Sequence, residues 1–237
     1  MTHDQLMSEL NTLKETVEEI GRLLDSVIDP MVGGSKPLRK TYQQFLEDEQ
    51  KRPGYSSGES LRSYFSYRRA LEFAIRHHAG QVRKYTGEPY IYHPIAVAEI
   101  VTSVGHTDEM VAAALLHDVV EDTDATLDDV EREFGPEVAA LVEMVTDVSR
   151  PEDGNRAARK AIDRDHLAKA SYEAKTIKLA DLIHNTQSIG IHDPKFARTY
   201  LAEKRALLEV LGDGDFVLFQ QASEIAGYFE ARLDAED

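Results

Sequence analysis

Four polar residues interrupt an apolar run between Ala112 and Thr123: His117, Asp118, Glu121 and Asp122. The run reads as a buried helix, on which His117 lies one turn from Glu121 and Asp118 one turn from Asp122, so all four share one edge. Three carboxylates and an imidazole beside apolar side chains are costly to bury unless a positive charge sits among them. A divalent cation meets that need. Taken alone, the same edge is also what a helix of this kind turns to solvent.

Two other stretches carry donors of the same types. His93 precedes Pro94 at a helix entrance, where its ring is free to turn inward. Asp181 lies in the apolar run from Thr176 to Ser188, which is broken by polar residues at Asp181, His184, Asn185 and Ser188, a stripe at i, i+3, i+4 and i+7. His93, His117, Asp118 and Asp181 together make two imidazoles and two carboxylates. That set suits Mn²⁺, Fe²⁺ or Zn²⁺ with positions left for water and substrate. The chain has no cysteine, so thiolate zinc sites and disulfides are excluded. Neighbouring residues on a helix point about 100° apart, so His117 and Asp118 reach one ion only if it lies in the wedge between them.

The elements that must position these residues are helices throughout. No segment alternates with period two, and the apolar spacing predicts an all-α fold. One helix is expected from about Tyr64 to Gln81, carrying His77 and His78 near its end. A turn-rich loop then runs from Arg83 to Tyr90, and a helix follows with Ile95, Ala98, Val101 and Val104 on its core face. The helix of the opening motif is expected to run unbroken from Asp108 to Glu121. Thr126 and Asp129 form a capping pair for a short helix that ends at Phe134-Gly135, and Pro136 starts the next. Two helices, about Pro194 to Leu211 and Asp215 to Leu233, complete the set.

Upstream, Leu6, Leu10, Leu13, Val17, Ile20, Leu24 and Val27 form a heptad seam, which fits packing on the protein's own body or self-association as a homodimer. Breakers at Pro53-Gly54 and Gly58 separate this extension, residues 1–60, from a main domain at 61–237. A formal net charge of −16 disfavours nucleic acid as a partner but leaves room for a small anionic ligand. No run is long enough for a membrane span and no signal-peptide pattern opens the chain, so a cytoplasmic protein is expected.

These motifs carry a resemblance. The order His, His-Asp, Asp is similar to that of the HD superfamily of metal-dependent phosphohydrolases. Gly80-Gln81-Val82-Arg83-Lys84, Gly87-Glu88-Pro89-Tyr90-Ile91, His93-Pro94, Leu115 to Thr123 and Lys178 to Asn185 resemble the hydrolase domain of the RelA/SpoT alarmone enzymes and the small alarmone hydrolases. Five motifs in the right order, over about Tyr64 to Ser188, make the resemblance specific. It implies an HD-domain helical bundle and hydrolysis of the 3′-pyrophosphate of guanosine alarmones, with Mn²⁺ on His93, His117, Asp118 and Asp181. Glu121 and Asp122 match the acidic pair that positions or deprotonates the attacking water. Arg83 and Lys84 match the basic pair at base and phosphates, and Asn185 a residue beside the nucleotide. The loop between Arg83 and His93 is one residue longer than in the bifunctional enzymes, which leaves open whether Arg83 or Lys84 takes the stacking role.

Ser188, one turn beyond Asn185, is a further candidate for a nucleotide contact, and His184 for orienting a ligand. Tyr90 and Tyr92 read as core aromatics. Alternatives to the guanosine alarmone are adenosine alarmones, nucleoside mono- or triphosphates, cyclic dinucleotides, or nucleotide binding without turnover.

Overall fold

A computed structural model describes residues 57–235, in which every regular element is helical. The fold is therefore all-α, and the single β pairing among the described residues is an isolated antiparallel bridge between Val82 and Pro89. The residues from Ser66 onward form a compact unit. The heptad seam of Leu6 to Val27 lies outside the described residues.

The helices are α1 (Ser57–His77), α2 (Tyr92–Thr102), α3 (Asp108–Leu116), α4 (Val119–Asp122), α5 (Leu127–Phe134), α6 (Pro136–Val145), α7 (Arg156–Leu167), α8 (Tyr172–His192), α9 (Pro194–Leu211) and α10 (Phe216–Ala235). The core is built around α8, which packs against α2, α3, α6, α9 and α10. Its middle is apolar on nearly every side: Ile177, Leu179, Ala180, Leu182 and Ile183 are all buried. A helix of that composition has to be surrounded by others. Asp181 falls in this stretch and is buried with it. The second internal helix, α3, is buried from Met110 to Leu116.

Local chemistry sets the ends. Thr126 and Asp129 close a capping box on α5, Pro136 starts α6, and Thr107, Asn155, Ser171 and Asp193 cap α3, α7, α8 and α9 through their side chains. Gly135, at φ 90°, makes the turn between α5 and α6 that an L side chain would resist. Gly190 lets α8 approach α10, since a Cβ there would meet the Phe229 ring at 2.5 Å.

The helix expected from Asp108 to Glu121 is interrupted. α3 ends at Leu116, and α4 starts at Val119 after a turn in which Asp118 takes φ −98° and ψ −5°. The His117 ring explains the break: its Nδ1 lies 2.8 Å from the Ala114 carbonyl oxygen, the acceptor that the Asp118 amide takes in an unbroken helix. The stretch that carries the motif is thus a pair of short helices with the His-Asp pair at their junction.

Candidate metal centre and its cleft

Two buried helices and one junction deliver the donors. His93 comes from the first turn of α2, His117 and Asp118 from the α3–α4 junction, and Asp181 from the middle of α8. The structure brings all four together. One donor atom each of His93, His117 and Asp118 lies within 4.8 Å of the others. Asp181 Oδ1 adds contacts of 3.2 Å to His93 Nε2 and 3.8 Å to His117 Nε2. Asp118 Oδ2 is 3.3 and 3.1 Å from the same two nitrogens.

Both imidazoles are oriented from behind. The Ala114 carbonyl accepts from His117 Nδ1–H, and His93 Nδ1 is 2.7 Å from His184 Nδ1. A ring held at Nδ1 presents Nε2 to the front, the arrangement found at metal-binding histidines. The Nε2 atoms of His93 and His117 are buried and make no hydrogen bond. Unpaired buried polar atoms are uncommon, and these two face carboxylates. The donor set and its geometry therefore fit a divalent cation.

The electrostatics demand a positive charge at this point. Burial pulls the His117 imidazole down, yet the Asp118 and Asp181 carboxylates outweigh it and lift the ring to about 10. Burial acts to raise the two carboxyls, but His117 and His93 hold Asp118 well below the usual range, and Lys178 with the imidazoles does the same for Asp181. His184 is pushed down to about 4 by burial, with His93 and Arg83 adding to the effect. It is neutral near pH 7 and can serve as a plain hydrogen-bond partner for His93.

A second layer ties the centre to the basic loop. Asn185 Nδ2 donates to Asp181 Oδ1 at 2.5 Å, and its Oδ1 accepts from Arg83 at 2.8 Å. The Arg83 guanidinium stands 5.6 Å from the centre of the Tyr90 ring. The Tyr90 hydroxyl donates to Asp118 Oδ2 at 2.6 Å, and His78 packs against the back of the Tyr90 ring. Tyr90, read from sequence as a core aromatic, is thus a partner of the metal-side carboxylate. Of the basic pair, Arg83 reaches this network. Lys84 turns outward, 3.9 Å from Asp193 and 3.3 Å from the Tyr85 hydroxyl.

The centre opens into a cleft of about 940 Å³, within the range of small-molecule sites. Glu121, Asp122, Arg83 and Asn185 line it, whereas Ser188 and Lys84 do not. Ser188 instead uses its carbonyl to accept from His192. Its neighbour Ile189, four residues beyond Asn185, lines the cleft. Burial, Asp147 and Asp118 push the Glu121 carboxyl up to about 7 against the pull of Lys178, and burial also raises Asp122.

Besides Lys178 of the α8 motif, the cleft gathers cations that the motifs did not reveal: Arg156, Lys160 and Arg164 from α7 and Lys204 from α9. Lys160 pairs with Asp147, and Arg156 with Glu203 through two bonds. The Lys204 ammonium sits 4.7 Å from the Tyr200 ring, and burial lowers it to about 8. Carboxylates from the same walls stand among them, Asp147, Asp163 and Glu203 beyond those of the motifs, so the cleft carries charges of both signs.

Comparison with known proteins agrees with this geometry. The family model described as HD domain matches residues 70–208. Human guanosine-3′,5′-bis(diphosphate) 3′-pyrophosphohydrolase MESH1 is 46% identical over 129 residues, which cover 53% of this chain and 70% of that protein. A Synechocystis protein named as a probable guanosine-3′,5′-bis(diphosphate) 3′-pyrophosphohydrolase is 39% identical over 148 residues. That match covers 61% of this chain and only 19% of the Synechocystis protein. A solved structure, described as a metazoan orthologue of SpoT that hydrolyses ppGpp, superimposes with a TM-score of 0.62 at 33% identity, covering 70% of this chain and 95% of that one. With its His, His-Asp and Asp donors gathered at one point and the family model spanning residues 70–208, the chain belongs to the HD-domain family.

Proposed function

We propose that the chain is a metal-dependent hydrolase that removes the 3′-pyrophosphate of guanosine alarmones, ppGpp or pppGpp, leaving GDP or GTP. The observation that carries this reading is the convergence of the buried Nε2 atoms of His93 and His117 on the Asp118 and Asp181 carboxylates, beside a cleft lined by charges of both signs. The names of the relatives support the choice of substrate. Mn²⁺ is the ion assigned to His93, His117, Asp118 and Asp181, in keeping with a His₂Asp₂ donor set and with the resemblance. When bound, the ion supplies Lewis acidity, polarising a phosphoryl oxygen and making a water more acidic.

The chain's own residues do the rest. The Asp147 amide donates to Glu121 Oε2 at 3.3 Å, which leaves Oε1 to take the proton from the attacking water. A carboxyl at about 7 is well matched to that task near neutral pH. Asp122, also raised, holds the water on the other side. Water adds to the phosphorus nearest the ribose, the bond from that phosphorus to O3′ breaks, and O3′ takes up a proton as the nucleotide leaves. Arg83, held by Asn185, contacts the nucleotide, and Lys160 and Lys204 offset phosphate charge across the cleft.

Residues 1–60 are assigned to a helical extension outside the hydrolase domain at 61–237, with homodimerisation through its heptad seam. A monomeric mass by light scattering at micromolar concentration would count against that dimer. No described helix is long and apolar enough to cross a membrane, and we place the protein in the cytoplasm. The deciding experiment is hydrolysis of guanosine and adenosine 3′-pyrophosphates side by side with added Mn²⁺. Pyrophosphate should appear from the guanosine substrate and stop on chelation. Faster turnover of the adenosine substrate would move the assignment to another nucleotide, and turnover of neither would refute it.

A further inference from the structure

The basic loop is anchored at a second point, away from the metal centre. Its backbone closes on itself, with Arg83 N–H donating to the Glu88 carbonyl at 2.8 Å and Gly87 N–H to the Arg83 carbonyl at 2.9 Å. Those bonds fix the shape of the loop but not its place on the protein. Its tip is held by Tyr85, whose hydroxyl donates to Asp193 Oδ2 at 3.0 Å and whose ring stacks on His192 at 6.1 Å and 10°. The Lys84 ammonium adds a weaker tether, 3.9 Å from the same Asp193 oxygen and 5.9 Å from the Phe196 ring.

Asp193 is placed to couple two parts of the cleft. Its other oxygen, Oδ1, accepts from the Phe196 amide at 3.1 Å and so caps α9, the helix that carries Tyr200 and Lys204 on the cleft wall. One carboxylate therefore ties the loop bearing Arg83 to the first turn of the helix facing it. Half-buried Tyr85 touches none of the candidate metal ligands and does not line the cleft. Nothing about the fold of the bundle requires its hydroxyl.

We propose that Tyr85 is a positioning residue for substrate binding: through Asp193 it locks the basic loop to the α8–α9 junction and thereby fixes Arg83 at the nucleotide end of the cleft. Its effect on substrate rests on the hydrolase reading above, whereas its effect on the loop does not. Without the lock, Arg83 keeps its bond to Asn185 but must be held in place as the loop is ordered on binding, so the cost falls on substrate affinity and leaves the chemical step unchanged.

The test uses the full chain and the variant Tyr85→Phe, which keeps the ring and loses only the hydroxyl. In the ligand-free protein, amide exchange at Arg83 and Gly87 should quicken by about tenfold, as for the loss of one hydrogen bond, while exchange in α8 stays unchanged. With Mn²⁺ and ppGpp, KM should rise about three- to tenfold with kcat within twofold and Mn²⁺ affinity unaltered. Asp193→Asn retains a cap for α9 and weakens the same contact, so adding Tyr85→Phe to it should change KM little further. Unchanged loop exchange overturns the proposal, as does a loosened loop with unchanged KM, or two substitutions whose effects simply add. If the unmodified chain turned over no alarmone, the hydrolase reading alone would fail, and loop exchange would still decide whether Tyr85 locks the loop.

Discussion

Loading the centre with Mn²⁺ should expel protons. The Asp118 and Asp181 carboxylates lift His117 to about 10 in spite of burial, so at pH 7 its ring carries a proton between them. Nε2 cannot hold a proton and an ion together, and the two compete. The sign follows from the direction of the shift: the proton is held more firmly than usual below pH 10, so competition is strong near neutrality and weakens as the pH rises. Between pH 7 and 8.5 the apparent affinity for Mn²⁺ should increase about tenfold per pH unit, roughly thirtyfold in all. Close to one proton should be released per ion. Calorimetric titration of metal-free protein in two buffers of different ionisation enthalpy reads both quantities. Flat affinity across this range with no proton release would refute the placement of His117 between two charged carboxylates.

Other substitutions separate the roles. Glu121→Gln should keep Mn²⁺ affinity and lower kcat by roughly 10²- to 10⁴-fold; the rise in kcat with pH through about 7, read from initial rates, should vanish with it. Arg83→Ala removes the bond to Asn185 and should raise KM for ppGpp with a smaller effect on kcat, in steady-state kinetics. His184→Ala leaves His93 Nδ1 without its 2.7 Å partner and should weaken Mn²⁺ binding about 10- to 100-fold in a chelator competition. Gly190→Ala sets a methyl 2.5 Å from the Phe229 ring and should cost about 1–3 kcal/mol, seen as a lower denaturation midpoint with the Mn²⁺ site intact.

The donors were legible because their chemistry is unusual in its setting: His117, Asp118 and Asp181 stand out only against the apolar residues around them. The capping box at Thr126 and the proline start at Pro136 were legible because helix ends depend on the nearest few residues. Contacts set by tertiary geometry left no such trace. The break at His117-Asp118 comes from a ring bonding back to Ala114, and an apolar run conceals it. Tyr90 looked like a core aromatic because nothing local shows that its hydroxyl meets Asp118 from 28 positions away. That Arg83 rather than Lys84 reaches Asn185 has no local sign, since Asn185 lies more than 100 residues on in the chain. Ser188 kept the right spacing from Asp181, yet the cleft takes Asn185 and Ile189 from that side of α8. Arg156, Lys160 and Lys204 were not legible because the helices that carry them, α7 and α9, lie outside the motifs and only tertiary packing brings them to the cleft.

The central claim is that side chains from α2, the α3–α4 junction and α8 hold one divalent ion. Anomalous diffraction at the manganese edge, from crystals of the full chain grown with Mn²⁺, addresses it directly. The account expects a single strong peak per chain bounded by His93 Nε2, His117 Nε2, an Asp118 oxygen and an Asp181 oxygen, lost in Asp118→Ala. A peak elsewhere, or none at saturating Mn²⁺, would contradict it.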